Sequence, residues 1–421
     1  MAERELTGGR DRLRGTSDDD VFTGGAGALS RDDVLRGGGG DDVLIAGLEN
    51  DRSGAEAPRI TGIETLFIDA QGGDLSLRNV RGAEAIYADQ TSIVIEDATL
   101  SPAYGARGLQ SGTVTIDFRV DLSGTSDTLR LISEDANVTF KAQTDAEAGA
   151  IERIELDATG TNRDAEQVDV SAFTNLEELT ITGENRVILD LTSPELTLVD
   201  ASGNTGGIEL NDLNSASQDV EVRGSQGDDL ILTGTGNDTV FGNDGDDEID
   251  GEAGSDSLDG GMGNDVLSGN AGADELRGQE GDDELNGDGG NDLLYGASGD
   301  DTIRGGNGDD LLSGASGNDV LRGGGGDDTL EGQAGENELF GGSGADAFRF
   351  TDGTDTVRDF VAGTDTLTFS DGTSLSTQQD FIDLEEASPE LFEAIESDSV
   401  TLAIGGATVT LLEFDTDFLT G

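Results

Sequence analysis

The chain has 421 residues, 66 of them glycine, with aromatic residues at 4% and no tryptophan. Basic side chains number 23 against 90 acidic ones, a formal net charge of −67. This composition excludes a large aromatic-rich core and makes nucleic acid and anionic membranes poor partners, while divalent cations become good ones.

Cysteine and histidine are both absent. Disulfides, thiolate metal sites, His-ligated zinc and His-based nucleophilic triads are therefore excluded. Acidity of this degree otherwise suits a disordered chain, so residue spacing has to decide.

In chain order, Met1-Ala2-Glu3-Arg4-Glu5-Leu6-Thr7 lacks the apolar run of a cleavable signal peptide. No window approaches the length of a membrane span, so an export address is expected elsewhere in the chain. Residues 1–57 then carry four Asp-x-apolar units, Asp11-Arg12-Leu13, Asp20-Val21-Phe22, Asp33-Val34-Leu35 and Asp42-Val43-Leu44. Their register is broken around Ala26 to Leu29, and only GGGGDDVLI from Gly37 keeps a full glycine turn. This region is predicted to form irregular coils.

Residues 58–223 alternate apolar and polar side chains in phrases such as Ile63-Glu64-Thr65-Leu66-Phe67-Ile68, Ile151-Glu152-Arg153-Ile154-Glu155-Leu156 and Leu176-Glu177-Glu178-Leu179-Thr180-Ile181. Alternation points one side chain inward and the next outward. Gly, Asn, Asp and Ser turns separate the phrases. The expectation is an irregular parallel β-helix continuing into the next region, with a β-sandwich as the alternative. Asp69, Asp157 and Asp200 read as turn-formers, with cation ligation as the other possibility.

From Gly224 to Arg349 the chain falls into 14 ungapped blocks of nine, from GSQGDDLIL to GGSGADAFR. Position four is always Gly, position six is Asp except at Asn337, and position eight is aliphatic or Phe. Each block supplies one short strand with one inward apolar side chain, then a turn that glycine permits. Two blocks make a coil of about 18 residues, and the seven coils stack over roughly 30–35 Å at about 4.8 Å per strand. Stacking places the Asp residues in files, where unit charges one coil apart repel by about 1 kcal/mol even in water. Such files need a cation, and carboxylates with turn carbonyls are the hard oxygen donors that Ca²⁺ prefers. At position nine, Arg277, Arg304 and Arg322 read as solvated strand ends that relieve negative potential, with a partner site as the alternative.

Residues 350–421 are predicted to be a small cap. Phe350 to Phe360 and Gly363 to Leu367 continue the Asp/Gly/Thr pattern. Ser376–Ala387 and Ser388–Glu396 read as two short helices, the second with Pro389 at its first position. Ser399–Phe414 reads as a hairpin about Gly405-Gly406.

The nine-residue blocks resemble the RTX nonapeptide, GGxGxD followed by x-aliphatic-x. The resemblance implies an all-β, elongated, right-handed parallel β-helix or β-roll solenoid holding multiple Ca²⁺ ions between coils, closed by a C-terminal cap with short helices. Carried over position by position, it implies as metal ligands Asp229, Asp238, Asp247, Asp256, Asp265, Asp274, Asp283, Asp292, Asp301, Asp310, Asp319, Asp328 and Asp346. Asn337 departs from the pattern, so a weak or empty site is expected there. In the N-terminal set Asp20 and Asp42 are the candidate ligands, while Asp11 and Asp33 stay open between ligand and surface acid.

The segment after the array is similar to those that close RTX rolls, which implies an uncleaved signal for type I secretion in residues 350–421. The middle phrases, through NLEELTITGENRVILDLTSPELTLVDASGNTGGIEL, look like RTX surface-layer proteins. Together these imply a secreted or cell-surface, calcium-dependent structural protein rather than an enzyme, associating with itself in a lattice or fibre. The type I secretion machinery is an implied partner and cell-surface polysaccharide a further one, without membrane insertion. The alternatives are an RTX adhesin or matrix protein and a polysaccharide-acting enzyme, since paired carboxylates alone suffice for glycosidases.

Overall fold

One aliphatic residue per nine, fenced by small or polar neighbours, leaves a strand only one side chain to bury. The array folds accordingly. In every block the position-eight residue, from Ile231 to Phe348, is at most 1% exposed. The computed structural model describes residues 2–8, 10–30, 33–48, 58–69, 74–76, 80–89, 93–98, 102–107, 112–118, 127–142, 151–160, 165–211, 213, 218–395 and 399–412. Two compact units divide the chain, Met1–Gln218 and Asp219–Gly421. Each is an all-β parallel solenoid.

In the second unit the strands alternate between two parallel sheets. One contains Thr239–Asp244, Ser257–Met262, Glu275–Glu280, Leu293–Ser298, Leu311–Ser316 and Thr329–Ala334. The other contains Glu248–Asp250, Val266–Ser268, Glu284–Gly289, Thr302–Asn307, Val320–Gly325 and Glu336–Ser343. Partners lie eighteen residues apart, so Leu294 pairs with Leu312 and Ile303 with Leu321. Equivalent block positions therefore form straight columns, and a residue type repeated in sequence becomes a file in space.

The first unit has the same parallel logic with looser coils. Its steps are 22 residues between Asp20 and Asp42, 18 between Asp89 and Arg107, and 25 between Arg153 and Glu178. A third small sheet, Arg12–Arg14, Val34–Arg36, Arg59–Thr61 and Val80–Arg81, closes the N-terminal coils. The pairings from Thr65–Asp69 to Leu198–Asn204 are all parallel. A sandwich of antiparallel sheets is thereby excluded for the described middle coils.

The C-terminal region departs from expectation in one place. Gln378–Ala387 is a helix, opened by a capping box in which Thr377 and Asp380 exchange hydrogen bonds. The second expected helix is instead a single 3₁₀ turn, Pro389–Leu391, followed by the strand Phe392–Ile395. Pairing explains the difference. Phe392–Ile395 adds antiparallel to Ser399–Ile404, and that ladder outweighs a weak local helix preference. The hairpin forms about Gly405-Gly406, with Ala407–Leu412 returning to pair in parallel with Thr354–Val357. Residues 49–57, Glu396 and 413–421, which carry parts of these expectations, lie outside the described residues.

Candidate metal centre

Every nonapeptide turn but that of Asn337 is built around the position-six carboxylate. Its Oδ1 accepts the backbone N–H of the equivalent Asp one coil earlier: Asp247 from Asp229 at 2.8 Å, Asp292 from Asp274 at 2.9 Å, Asp328 from Asp310 at 2.9 Å. Two such files run through the array. One holds Asp229, Asp247, Asp265, Asp283, Asp301 and Asp319, and the other holds Asp238, Asp256, Asp274, Asp292, Asp310, Asp328 and Asp346. All thirteen carboxylates are buried, each at most 3% exposed.

The second oxygen decides the chemistry. Oδ2 of Asp238, Asp247, Asp256, Asp265, Asp274, Asp283, Asp292, Asp301, Asp310, Asp319 and Asp328 is buried with no hydrogen-bond donor. A buried ionised carboxylate lacking a partner costs several kcal/mol. Burial accordingly raises these carboxyls, Asp247 to about 8, Asp256, Asp301 and Asp328 to about 7, and Asp265, Asp283, Asp292 and Asp319 to about 6. The N–H donated to Oδ1 opposes the rise without cancelling it.

Oδ2 faces a small cradle, and the position-one glycine keeps it open. A Cβ placed on Gly287 would run into Asp292 Oδ2 and lie 2.6 Å from the carbonyl oxygen of Gly305, one coil on. Gly305 stands in the same relation to Asp310 Oδ2 and Gly323 O, and Gly323 to Asp328 Oδ2 and Gly341 O. A carboxylate oxygen and a carbonyl oxygen from successive coils thus converge on one point with no donor between them. This oxygen-only donor set fits Ca²⁺. Among the described residues no three acidic side chains gather at one point, so each cradle has to combine one carboxylate with turn carbonyls.

The remaining expected ligands divide. Asp42 has an unpartnered buried Oδ2, and Gly15 and Gly37 hold open cradles beside Asp20 and Asp42. Asp20 itself is held low by the N–H of Thr16, which donates to its Oδ2. Asp346 accepts from Asp328 at 3.0 Å in the array geometry. Asp229 accepts at both oxygens from Ser225, at 2.7 Å each. Asp33 is fully buried, with Oδ1 bonded to the N–H of Asp11 and Oδ2 to that of Ser30, both at 2.7 Å, whereas Asp11 is half-exposed and bonded to Thr7.

Asn337 completes its file by accepting from Asp319 at 2.9 Å, but its Nδ2 donates 2.8 Å to Asp355 Oδ1. An amide donor replaces the oxygen that would face a cation. Of the middle carboxylates, neither Asp200 nor Asp157 forms a turn. Asp200 lies within the strand Leu198–Asn204, paired with Thr180 and accepting from Ser202 N and Oγ where the register shifts. Asp157 lies within Arg153–Thr159, where pairing on both sides holds it extended.

Two residues beyond the array extend the files. Asp355 is fully buried with an unpartnered Oδ2 and is pushed up to about 7 by burial. Asp365 accepts from Asp346 N at 3.1 Å and Val361 N at 2.7 Å. Phe350–Arg358 still carries Gly353, Asp355 and Val357 at positions four, six and eight, so the nine-residue period reaches Asp355, whereas Asp365, ten residues further on, falls off it. The remaining sequence signal is Asp-Thr before a strand, as in Gly353-Thr354-Asp355-Thr356 and Gly363-Thr364-Asp365-Thr366.

The RTX calcium-binding nonapeptide repeat (four copies) matches residues 6–28, 29–52, 223–258, 259–294, 286–321, 295–330 and 322–357. The comparison with curated proteins gives no match. The matched stretches are those in which cradle, buried carboxylate file and glycine turn coincide. Residues 6–52 and 223–357 of the chain are thus RTX calcium-binding nonapeptide repeats.

Proposed function

We propose that this chain is an exported structural protein whose nonapeptide coils fold only where calcium is plentiful, and which then associates with its own copies into a surface layer or extracellular array. The observation that carries the reading is the row of buried Oδ2 atoms with no donor. Asp238, Asp247, Asp256, Asp265, Asp274, Asp283, Asp292, Asp301, Asp310, Asp319, Asp328 and Asp346 would hold the ions, with Asp20 and Asp42 doing so in the N-terminal coils. Asp229 joins them once Ser225 yields its hydrogen bonds. Bound Ca²⁺ supplies the positive charge that the carboxylates lack and a common centre for oxygens of successive coils.

Everything else is the work of the chain. Oδ1 ties each coil to the one before, the position-one glycine leaves space, and the position-eight aliphatic seals the interior. Extracellular modules of this donor type bind with dissociation constants of roughly 10⁻⁴–10⁻³ M. At cytosolic calcium the carboxylate files repel and the coils stay open, in a form able to thread an export channel. Outside the cell, cation binding adds directly to folding stability. Export by a one-step channel is supported by the likeness of the residues after the array to segments that close RTX rolls. Assembly is supported by the surface-layer-like middle phrases and by charged columns that repeat at a fixed one-coil interval.

The experiment is imaging of the purified full-length protein, together with circular dichroism, in millimolar calcium and in excess chelator. With calcium we expect ordered arrays and the full β spectrum; in chelator at pH 8 we expect no arrays and a weakened β spectrum, the share of the nonapeptide coils being lost and that of the middle coils kept. Monomers alone in calcium would remove the assembly reading. An unchanged β spectrum in chelator would remove the calcium-gated one.

A further inference from the structure

Six arginines and no lysine lie in the second unit, and three of them share one column. Arg304 pairs in register with Arg322 and Arg322 with Phe340. Leu339 pairs with Val357, so Arg358 follows one coil on, its N–H bonded to Leu339 O at 3.0 Å. Successive coils therefore present Arg, Arg, Phe and Arg on one outer sheet face of a chain with net charge −67. The neighbouring column reads Glu284, Thr302, Val320, Glu338, Thr356. Glu284 engages Arg304 and Glu338 engages Arg358.

Arg322 falls between them, beside Thr302 and Val320. Its guanidinium carbon lies 4.8 Å from the Phe340 ring centroid, and among the described residues no carboxylate pairs with it. On the other side Gly306, Gly324 and Gly342 are paired in register and carry no side chain. The column thus rises beside a bare, flat strip that a partner can approach closely.

We infer that the Arg304–Arg322–Phe340–Arg358 column docks a second copy of this chain along its acidic turn edge; the inference rests on the self-assembly reading above and names its contact. Charge complementarity and spacing select that occupant. Position five on one edge places Asp228, Asp246, Asp282, Asp300 and Glu336 outward and exposed. They lie on the same one-coil spacing, in a file whose other two members are the uncharged Asn264 and Asn318, with Asp300 accepting from Asn318 N at 2.7 Å and donating its own N–H to Asp282 at 2.8 Å. A cationic and an anionic file with the same repeat meet in register over several coils. Each exposed pair contributes little alone, so the contact needs the matched repeat to add them.

The test is sedimentation velocity of the full-length protein in millimolar calcium, at low and at high salt. Variants are Arg322→Glu, Asp300→Arg and the two combined, each first checked for wild-type circular dichroism and calcium uptake. Arg322→Glu and Asp300→Arg should each weaken self-association about tenfold, high salt should weaken the wild type, and the combined variant should recover. Wild-type association in Arg322→Glu, or no recovery in the combined variant, overturns the contact while leaving self-assembly standing. A monomeric wild type overturns both. Inorganic polyphosphate binding that Arg322→Glu abolishes without changing self-association reassigns the face to a polyanion and overturns the inference.

Discussion

At the scale of single residues, two glycines two positions apart do different work. Gly287 at position one is kept by the cradle, whereas Gly289 at position three has nothing nearer than 3.5 Å to an added Cβ. We expect Gly287→Ala to lower stability in calcium by about 1–3 kcal/mol through overpacking and to remove one calcium-binding event in a calorimetric titration. Gly289→Ala should stay within about 0.5 kcal/mol of wild type. Equal effects would mean that the cradle is not the reason for the glycine. Position two carries the left-handed backbone instead: Asn243, Gln279, Ala297 and Ala315 all have φ between 75° and 81°. Asp292→Asn tests the carboxylate itself, because Asn337 already occupies the equivalent place. In chelator at neutral pH the change removes a buried charge and should stabilise by on the order of 2 kcal/mol. In calcium it removes a ligand and should destabilise. Denaturant midpoints moving the same way in both conditions would contradict the assignment.

At the scale of the turn, the two kinds of coil solve burial in opposite ways. Array turns put the acid inside. The middle coils put an aliphatic inside and the acid outside: Ile63, Ile151, Leu176 and Leu196 are at most 3% exposed, and each of the first three is followed by a half-exposed or exposed glutamate. Glu64 and Glu152 keep the inter-coil bond, accepting from Asp42 N and Asp127 N at 2.8 Å each. Hydrophobic burial closes these turns and needs no cation. Hydrogen exchange followed by mass spectrometry should therefore find strands such as Glu178–Gly183 and Leu198–Asn204 protected in chelator, while Ser257–Met262 to Thr329–Ala334 exchange freely. Uniform loss of protection would defeat the distinction. The signal was in the sequence as aliphatic-Glu against Asp-Asp before a strand. Its meaning was not legible, because alternation alone does not tell which of two adjacent residues turns inward.

At the scale of the whole molecule, pH and calcium act on the same carboxylates. Without metal, the folded values of about 6 to 8 lie above the ordinary 3.8. The folded state then binds more protons than the unfolded one, so its stability is full below about pH 4 and is lost as pH rises through 6 to 8. Falling net charge at low pH acts in the same direction. In chelator we expect the array's β spectrum at pH 5 and its loss at pH 8, with calcium restoring it at pH 8. A metal-free protein that is more stable at pH 8 than at pH 5 would reverse the sign and refute the buried-carboxylate account.

Sequence alone determined the parallel coils of the array, the position-six carboxylate files and the departure at Asn337. A strict nine-residue period stacks equivalent atoms, so one block implies all the others. Only the tertiary structure decided what lies off that period. Asp365 joins its file because the strand after it, Thr366–Phe369, pairs onto the last coil, and Phe392–Ile395 becomes a strand because Ser399–Ile404 is there to receive it. The arginine column belongs with these. Arg304 and Arg322 are eighteen residues apart in sequence, and their chemistry as a single surface exists only once adjacent coils bring them side by side.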